Sequence, residues 1–176
     1  MDRRSNNIAI FQDSMDLIKA NQKLQQAVQF SIQNQKLYVP SQAIALPEPG
    51  KSSCKTIVSS KRSFEAASAY AKAGKRVCVL NFASATNPGG GVTRGSTAQE
   101  ECLCRCSTLY PCLDTKTMWH QFYQPHRKAG DPRYNDDLLY TPEVVVFKTD
   151  TSAPERMEEK DWYQVDIITC AAPNLR

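Results

Sequence analysis

The N-terminal part of the chain shows apolar residues at the spacing of amphipathic helices. Between residues 3 and 38, apolar positions recur every three or four residues with Asn21 as a natural break, so we expect two helices there. An alanine-rich stretch at 63–73 predicts a third helix, because Ser63 suits its start and Gly74 suits the left-handed turn after its end. Three helices are therefore predicted before residue 77.

Short apolar runs rich in β-branched residues predict strands farther along the chain. The runs at 77–80, 138–148 and 165–170 have the length and composition of buried strands, and a shorter strand is expected near 56–58. The helix at 63–73 leads through a tight turn into the strand at 77–80, which is the order of elements in an α/β sheet. The pattern therefore predicts the α/β class.

The length and composition indicate a single globular domain. A chain of 176 residues can bury most of its apolar surface in one core, so we expect one domain over 1–176, with a helical N-terminal extension at 1–50 and an α/β core at 51–176. No apolar run approaches the roughly 18 residues of a membrane span, and the N-terminus lacks the apolar core of a signal peptide. We therefore expect a cytoplasmic protein without a membrane partner. The net charge of +4 is too small to indicate nucleic-acid binding.

The stretch 77–113 carries the residues best suited to chemistry. It runs from a predicted strand through a loop of small residues into a predicted helix, and its key residues are Gly89, Gly90, Gly91, Gln99, Glu100 and Glu101. Three consecutive glycines leave the backbone almost bare, so N–H groups can approach a ligand closely. Two adjacent carboxylates at a helix start suit acid–base chemistry. Strand, glycine loop and paired acids together predict a catalytic site.

The same stretch resembles a known family. The sequence LNFASATNPGGGV, followed by QEE and then STLY, resembles the signature of the microbial-type poly(ADP-ribose) glycohydrolases, which are relatives of the ADP-ribose-binding macrodomain. Flanking segments agree over roughly 1–176. The resemblance implies a macrodomain-like mixed sheet flanked by helices, with an N-terminal helical extension. It also implies that the C-terminal part of the family fold, with a second glycine-rich loop for the diphosphate, is absent from this chain.

The resemblance implies an activity as well. It implies hydrolysis of the ribose–ribose O-glycosidic bonds of poly(ADP-ribose), with release of ADP-ribose and without a metal or redox cofactor. Adjacent helical residues point about 100° apart, so Glu100 and Glu101 cannot form a face-to-face pair, and one of them transfers the proton alone. By resemblance that residue is Glu101, as acid toward the departing oxygen and then as base toward water. Activity near neutral pH then requires burial and neighbouring charge to outweigh the helix N-terminus and keep the acid protonated.

Further residues are implied to hold the ligand. By resemblance, backbone donors of the glycines at 89–91 wrap the distal ribose and its phosphate, while Glu100 and Gln99 position ribose hydroxyls. Ser84 occupies the loop position where related macrodomains place a ribose-contacting asparagine, and Asn87 is a near alternative. For Asn174 two interpretations stay open: it caps a loop of the site, or it is an ordinary turn residue.

The resemblance leaves two functions open. The expected partners of an enzyme are poly(ADP-ribose) or an ADP-ribosylated protein, with ADP-ribose as the product ligand. The alternative is a binding module, either an ADP-ribose reader or a truncated catalytic half without activity. Retention of both glutamates favours the enzyme, because a reader needs the loop but not the acids. The missing C-terminal elements favour the binding module.

The cysteines and histidines do not predict a metal site. Alternate residues on a helix lie about 200° apart, so Cys102, Cys104 and Cys106 cannot all face one ion if that stretch is helical. Reduced, buried thiols are the expectation for them. The histidines His120 and His126 are six residues apart, which is not a helical ligand spacing, and we expect them on an aromatic-rich helix.

Overall fold

A mixed sheet of four strands forms the centre of the molecule. In a computed structural model that describes residues 2–41, 50 and 54–173, the strands are β1 (Lys36–Tyr38), β2 (Cys78–Ala83), β3 (Leu138–Val146) and β4 (Tyr163–Ala171). Strand β3 runs antiparallel to both β1 and β4, whereas β2 runs parallel to β4, and the order across the sheet is β1-β3-β4-β2. The predicted α/β class, a mixed sheet flanked by helices, is therefore confirmed.

Helices are distributed along the rest of the described chain. They are α1 (Arg3–Ala20), α2 (Gln22–Asn34), α3 (Ser63–Lys72), α4 (Gln99–Cys106), α5 (Leu109–Leu113), α6 (Lys116–Met118) and α7 (Gln124–Ala129). A π-helical turn at Trp119–Tyr123 joins α6 to α7, and short 3₁₀ turns lie at Val92–Arg94 and Glu159–Asp161. Within the described ranges, no helix combines the length and the apolar character needed to cross a bilayer.

The break between the first two helices falls at the residue expected from the sequence. The N–H of Asn21 donates to the Leu17 carbonyl at 3.0 Å, and its side-chain oxygen accepts the Leu24 N–H at 3.2 Å. One asparagine therefore ends α1 and caps α2, because its side chain satisfies a donor that a helix start leaves unpaired. The two helices predicted at the N-terminus are confirmed.

Helix α1 is joined to the rest of the fold by buried polar contacts as well as apolar packing. Phe11 belongs to the main hydrophobic core. The Asn7 side chain donates to the Gly95 carbonyl at 3.0 Å, and the Ser14 hydroxyl donates to the Arg105 carbonyl at 2.6 Å. These contacts fix α1 against α4 and the loop that precedes it.

The helical pattern predicted for residues 3–38 is wrong for its last three residues. Residues 36–38 were expected in a helix, but they form β1, with Lys36 opposite Tyr140 of β3. The backbone adopts an extended conformation at Gln35, and the side chain of Gln35 donates to the Thr141 hydroxyl at 2.8 Å. This anchor directs the chain along β3, and the extension adds a strand to the sheet.

The strand predicted at 56–58 is wrong. Residues 54–62 have no regular secondary structure, and Ile57 and Val58 are exposed, because no described strand lies beside them. The following helix is confirmed as α3, although Arg62 rather than Ser63 is its N-cap residue. The Glu65 side chain accepts the Arg62 N–H at 3.2 Å and closes this cap.

The two faces of the sheet are buried to different degrees. Alternation along β2 buries Val79, Asn81 and Ala83 and leaves the intervening side chains exposed. The register places Val79 beside Ile167 and Asn81 beside Thr169 of β4, both of which are buried. The face that carries Asn81 and Thr169 is therefore the one packed in the core.

Candidate active site

A loop of small residues begins where β2 ends and folds back through two local turns. The Ser84 hydroxyl accepts the N–H groups of Thr86 and Asn87 at 3.3 and 3.1 Å, and the Asn87 carbonyl accepts the Gly90 N–H at 3.0 Å. Short polar side chains favour such turns because they replace backbone partners. The loop therefore brings the glycines to the carboxyl end of β2, the edge of a parallel pair where ligands commonly bind.

Gly90 touches both carboxylates of the predicted acid pair. Its φ is +59°, a left-handed conformation that favours glycine. A Cβ placed on it would lie 2.6 Å from Glu101 Oε1 and 3.1 Å from Glu100 Oε2. Both acids of α4 therefore reach the same backbone position, and only a residue without a side chain leaves them room.

Glu101 is held by one oxygen and free at the other. It is 6% exposed, and its Oε1 accepts the Gly91 N–H at 2.8 Å. Its Oε2 is buried and has no hydrogen-bond partner among the described residues. Buried polar atoms are rarely left unpaired, and such atoms in a native structure often mark a functional group. One oxygen of Glu101 is therefore fixed by the loop while the other can serve a ligand.

Glu100 is more completely bound than Glu101. It is 3% exposed; Oε2 accepts the Ser84 N–H at 2.8 Å, and Oε1 faces the Asn81 amide nitrogen at 3.5 Å. Burial raises the pKa of Glu100 to about 7, helped by the charge of Glu101, although the N–H groups of Ser84 and Gly89 and the Asn81 amide oppose this shift. Glu100 is therefore partly protonated at neutral pH.

The sequence interpretation missed Asn81 and Tyr123. Asn81 lies on the packed face of β2, donates to the Thr169 hydroxyl at 3.2 Å, and has a buried Oδ1 without a partner in the described chain. A polar residue at a buried position of an apolar strand was the signal that could have identified it. Tyr123 is fully buried with a similarly unpaired hydroxyl, and burial, followed by the charge of Glu100, raises its pKa well above the usual value. The phenol therefore remains a proton donor.

Gln99 lies beside the site, and its side chain pairs with the backbone of β2. Its amide oxygen accepts the Phe82 N–H at 2.9 Å, and its amide nitrogen donates to the Leu80 carbonyl at 2.7 Å. The side chain thus pairs with the outer edge of β2 in place of a neighbouring strand. Gln99 fixes the start of α4 against the sheet, and a contact with ribose stays a prediction.

Two backbone donors of the glycine loop have partners within the protein. The N–H groups of the glycines were expected to face a ligand, but Gly90 donates to the Asn87 carbonyl and Gly91 donates to Glu101. The turn geometry and the carboxylate charge attract these donors into the protein. The glycines therefore serve the site by close approach to the acids, and their role as ligand donors stays a prediction.

Arg127 of α7 fixes the far side of the loop. Its guanidinium donates to the Thr86 carbonyl at 2.7 Å and to Asn87 Oδ1 at 2.6 Å, and it stacks 4.7 Å from the centroid of the Trp119 ring. Asn87 is thus engaged by an arginine whose importance the sequence did not suggest. The π-helical turn that carries Trp119 is a feature often found near functional sites.

The histidines and cysteines of the chain have different surroundings. His120 is exposed, whereas His126 is buried and contacts the Phe122 carbonyl at 2.7 Å and Asn135 Oδ1 at 2.9 Å. Of the three cysteines expected to be buried, Cys104 and Cys106 are buried and Cys102 is only partly covered. No cluster of three or more potential metal ligands occurs within the described residues. Asn174 lies outside them.

Comparisons with known proteins agree with this arrangement. The family described as microbial-type PARG, catalytic domain, matches residues 8–149. The crystal structure of poly(ADP-ribose) glycohydrolase (PARG) from Thermomonospora curvata has a TM-score of 0.81 and 30% identity, over 97% of this chain and 65% of that one. Its complex with the inhibitor ADP-HPD has a TM-score of 0.73 at the same identity, over 97% and 64%.

A relative from a second organism gives the same answer. The PARG of Deinococcus radiodurans in complex with ADP-ribose has a TM-score of 0.67 and 32% identity, over 84% of this chain and 58% of that one. None of the curated proteins compared with the chain matches it. The chain spans about 65% of the length of the Thermomonospora curvata structure. Since the family match covers most of the chain and the fold agrees with it, this chain belongs to the microbial-type PARG family.

Proposed function

We propose that this chain is a macrodomain-like hydrolase that cleaves the ribose–ribose O-glycosidic bonds of poly(ADP-ribose) and releases ADP-ribose. The observation that carries the proposal is the state of Glu101, with one oxygen held by the Gly91 N–H at 2.8 Å and the other buried and unpaired. A carboxyl fixed in this way has one defined rotamer and one free oxygen. That combination suits transfer of a proton to a bound sugar oxygen.

The two acids take different roles in this proposal. A pKa of about 7 would by itself favour Glu100 as the acid, but its oxygens are engaged by the Ser84 N–H and the Asn81 amide. We therefore assign proton transfer to Glu101 and the holding of a ribose hydroxyl to Glu100. A protonated Glu100 can also donate a hydrogen bond to the sugar.

The reaction follows the chemistry of glycoside hydrolysis. Glu101 donates its proton to the ribose oxygen that leaves as the C–O bond at the anomeric carbon breaks. A water molecule then adds to that carbon and returns a proton to the Glu101 carboxylate. The unpaired Oδ1 of Asn81 is suited to accept from a ribose hydroxyl. No cofactor is needed to balance these steps.

Support for the substrate comes from the relatives. The structures from Thermomonospora curvata and Deinococcus radiodurans are those of poly(ADP-ribose) glycohydrolases, one of them in complex with ADP-ribose. An ADP-ribosylated protein remains a further candidate substrate for this chain. A cytoplasmic location likewise stays a prediction from the sequence. The chain spans only about 65% of the length of the Thermomonospora curvata relative. The alternative function is therefore an ADP-ribose-binding protein without turnover.

The decisive experiment compares the parent protein with Glu101→Gln, Glu100→Gln and the exposed control Glu155→Gln. Release of ADP-ribose from poly(ADP-ribose) is measured by chromatography, and binding of ADP-ribose by calorimetry. We expect Glu101→Gln to lower the rate about 1000-fold, the size of a lost general acid, while still binding ADP-ribose. Glu155→Gln should match the parent. Binding without turnover by the parent would contradict the hydrolase and establish the binding protein.

A further inference from the structure

A cleft lined by three arginines lies between the start of α1, the start of α3 and helix α4. Arg3, Arg62 and Arg105 line it, and we call it the arginine cleft. Its other lining residues are Asn7, Thr97, Cys102, Thr151, Ser152 and Pro154. Its volume of about 20 Å³ leaves room for one small group rather than a whole nucleotide. In the part of the chain that the structure describes, no acidic residue lines this cleft.

Arg105 forms the base of the arginine cleft and lacks a counter-ion. It is 3% exposed; one guanidinium nitrogen donates to the Ser96 carbonyl at 2.7 Å and another donates to Cys102 Sγ at 3.3 Å. Among the described residues, no carboxylate lies within 4.0 Å of it. Lys148 is a second deeply buried cation, and it differs because it forms an ion pair with Asp13 at 2.7 Å. A buried charge without a partner is costly, so the unpaired guanidinium indicates a missing anion.

The rim of the cleft adds positive charge that is only partly compensated. Arg62 lies 3.6 Å from Asp150 Oδ1, which is buried beneath the start of α3, and 3.8 Å from Cys102 Sγ. Arg3 is exposed and has no ion pair with a described residue. Three guanidinium groups therefore surround a small cleft that has one carboxylate near its edge.

We propose that the arginine cleft binds one phosphate group, with Arg105 at its base and Arg3 and Arg62 at its rim. Guanidinium groups bind phosphate through pairs of charge-assisted hydrogen bonds, and two hydrogen bonds leave Arg105 with unused N–H groups. The phosphate comes either from a neighbouring unit of the substrate polymer, which rests on the proposed function, or from free phosphate.

A chain of hydrogen bonds connects the arginine cleft to the acid. Arg105 donates to the Ser96 carbonyl, the Ser96 N–H donates to the Gly91 carbonyl at 3.1 Å, and the Gly91 N–H donates to Glu101. The cleft and the glycine loop thus share the segment 91–96. A polymer bound at Glu101 would have a second phosphate site close to the loop that holds its ribose.

The first test measures the binding of inorganic phosphate by calorimetry, without any use of catalysis. We expect saturable binding by the parent and a dissociation constant about tenfold higher in Arg62→Gln and in Arg3→Gln. Arg94→Gln removes the same charge from an exposed neighbouring position and should bind as the parent does. Arg3→Gln breaks no described contact, so it keeps the test valid even if Arg62→Gln does not fold. Absence of saturable binding, or equal constants in all four proteins, overturns the proposal.

The second test identifies the source of the phosphate. If a polymer unit occupies the cleft, Arg3→Gln should raise KM for poly(ADP-ribose) about threefold to tenfold while kcat stays constant. An unchanged KM together with weakened phosphate binding assigns the cleft to free phosphate. Should the parent prove inactive, the proposed function fails, yet the phosphate titration still decides whether the cleft binds an anion.

Discussion

The two faces of the sheet come from the same strands and differ sharply in their surroundings. On one face, Val79, Asn81 and Ile167 are buried against the helical layer that includes α4. On the other, Leu80 is 45% exposed and Phe82 is 59% exposed, although both are large apolar residues of β2. Alternation explains how one strand can serve both environments. The strands themselves therefore do not determine burial; the elements packed on them do.

The candidate site belongs entirely to the packed face. Asn81, Glu100, Glu101 and Tyr123 are buried, and three of them carry an unpaired buried oxygen. The open face also holds a buried carboxylate, Asp166, but its oxygens are bonded to Arg76, Tyr140 and the Glu143 N–H, and none of its described residues has an unpaired buried polar atom. The polar groups of the candidate site are thus closely packed, and in such surroundings dipoles and charges interact more strongly than they do in water. The following predictions test that contrast.

The largest expected effect is a difference in stability between alanine variants of two phenylalanines. Phe122 is fully buried, so Phe122→Ala should lower the free energy of unfolding by about 3–5 kcal/mol through lost burial and a cavity. Phe82→Ala removes the same ring from the open face and should cost less than about 1 kcal/mol. Urea denaturation monitored by circular dichroism measures both. Equal losses would show that the open face is covered in solution.

The next effect concerns Glu100 and pH. Burial raises the pKa of Glu100 from 4.5 to about 7, so the folded protein holds this proton more tightly than the unfolded chain. The resulting stabilisation is complete below about pH 4.5 and is lost as the pH rises through 7, a change of about 3 kcal/mol. Glu100→Gln removes this titration.

The measurement is the free energy of unfolding at pH 5 and pH 8 in three proteins. The decrease between the two values should be smaller in Glu100→Gln than in the parent, whereas the exposed control Glu155→Gln should show the parent's decrease. The same pH dependence in all three proteins would mean that Glu100 is ionised in the folded protein and that water reaches the packed face.

A smaller effect is expected from a methyl group in the glycine loop. The added Cβ of Gly90→Ala would lie 2.6 Å from Glu101 Oε1 and displace the carboxyl, so kcat/KM for poly(ADP-ribose) should fall about 100-fold. Gly74 is the matched control, because its φ of +72° is similar and nothing lies within 4 Å of its Cβ position. Gly74→Ala should cost about 1 kcal/mol of stability and no activity. Equal losses of activity would attribute the effect to backbone strain alone.

Much of the fold could be predicted from local pattern, and the rest depended on long-range pairing. Asn21, the helix at 63–73 and the three longer strands follow from periodicity and capping, which act over a few residues. The strand at 36–38 could not be recognised, because its pairing with Tyr140 spans most of the chain. The segment near Val58 shows the reverse case, in which a strand-like composition finds no neighbour.

The site was predictable in part for similar reasons. The glycines and the acids are close in sequence, so their association was visible, and the structure brings both acids to Gly90. The assignment of Gln99 to the ligand did not foresee that an unpaired strand edge attracts its amide. Arg127 and Tyr123 act from a helix after the motif, and nothing in local spacing connects them to it.

The buried polar contacts of the first helix link distant parts of the protein. Through Ser14 and Asn7, the N-terminal helix bonds to carbonyls on either side of the segment that bears the two acids. Thermal fraying of that helix would therefore reach the carboxylates before the strands separate. Tags or deletions at the N-terminus can consequently disturb the position of both acids without altering either of them.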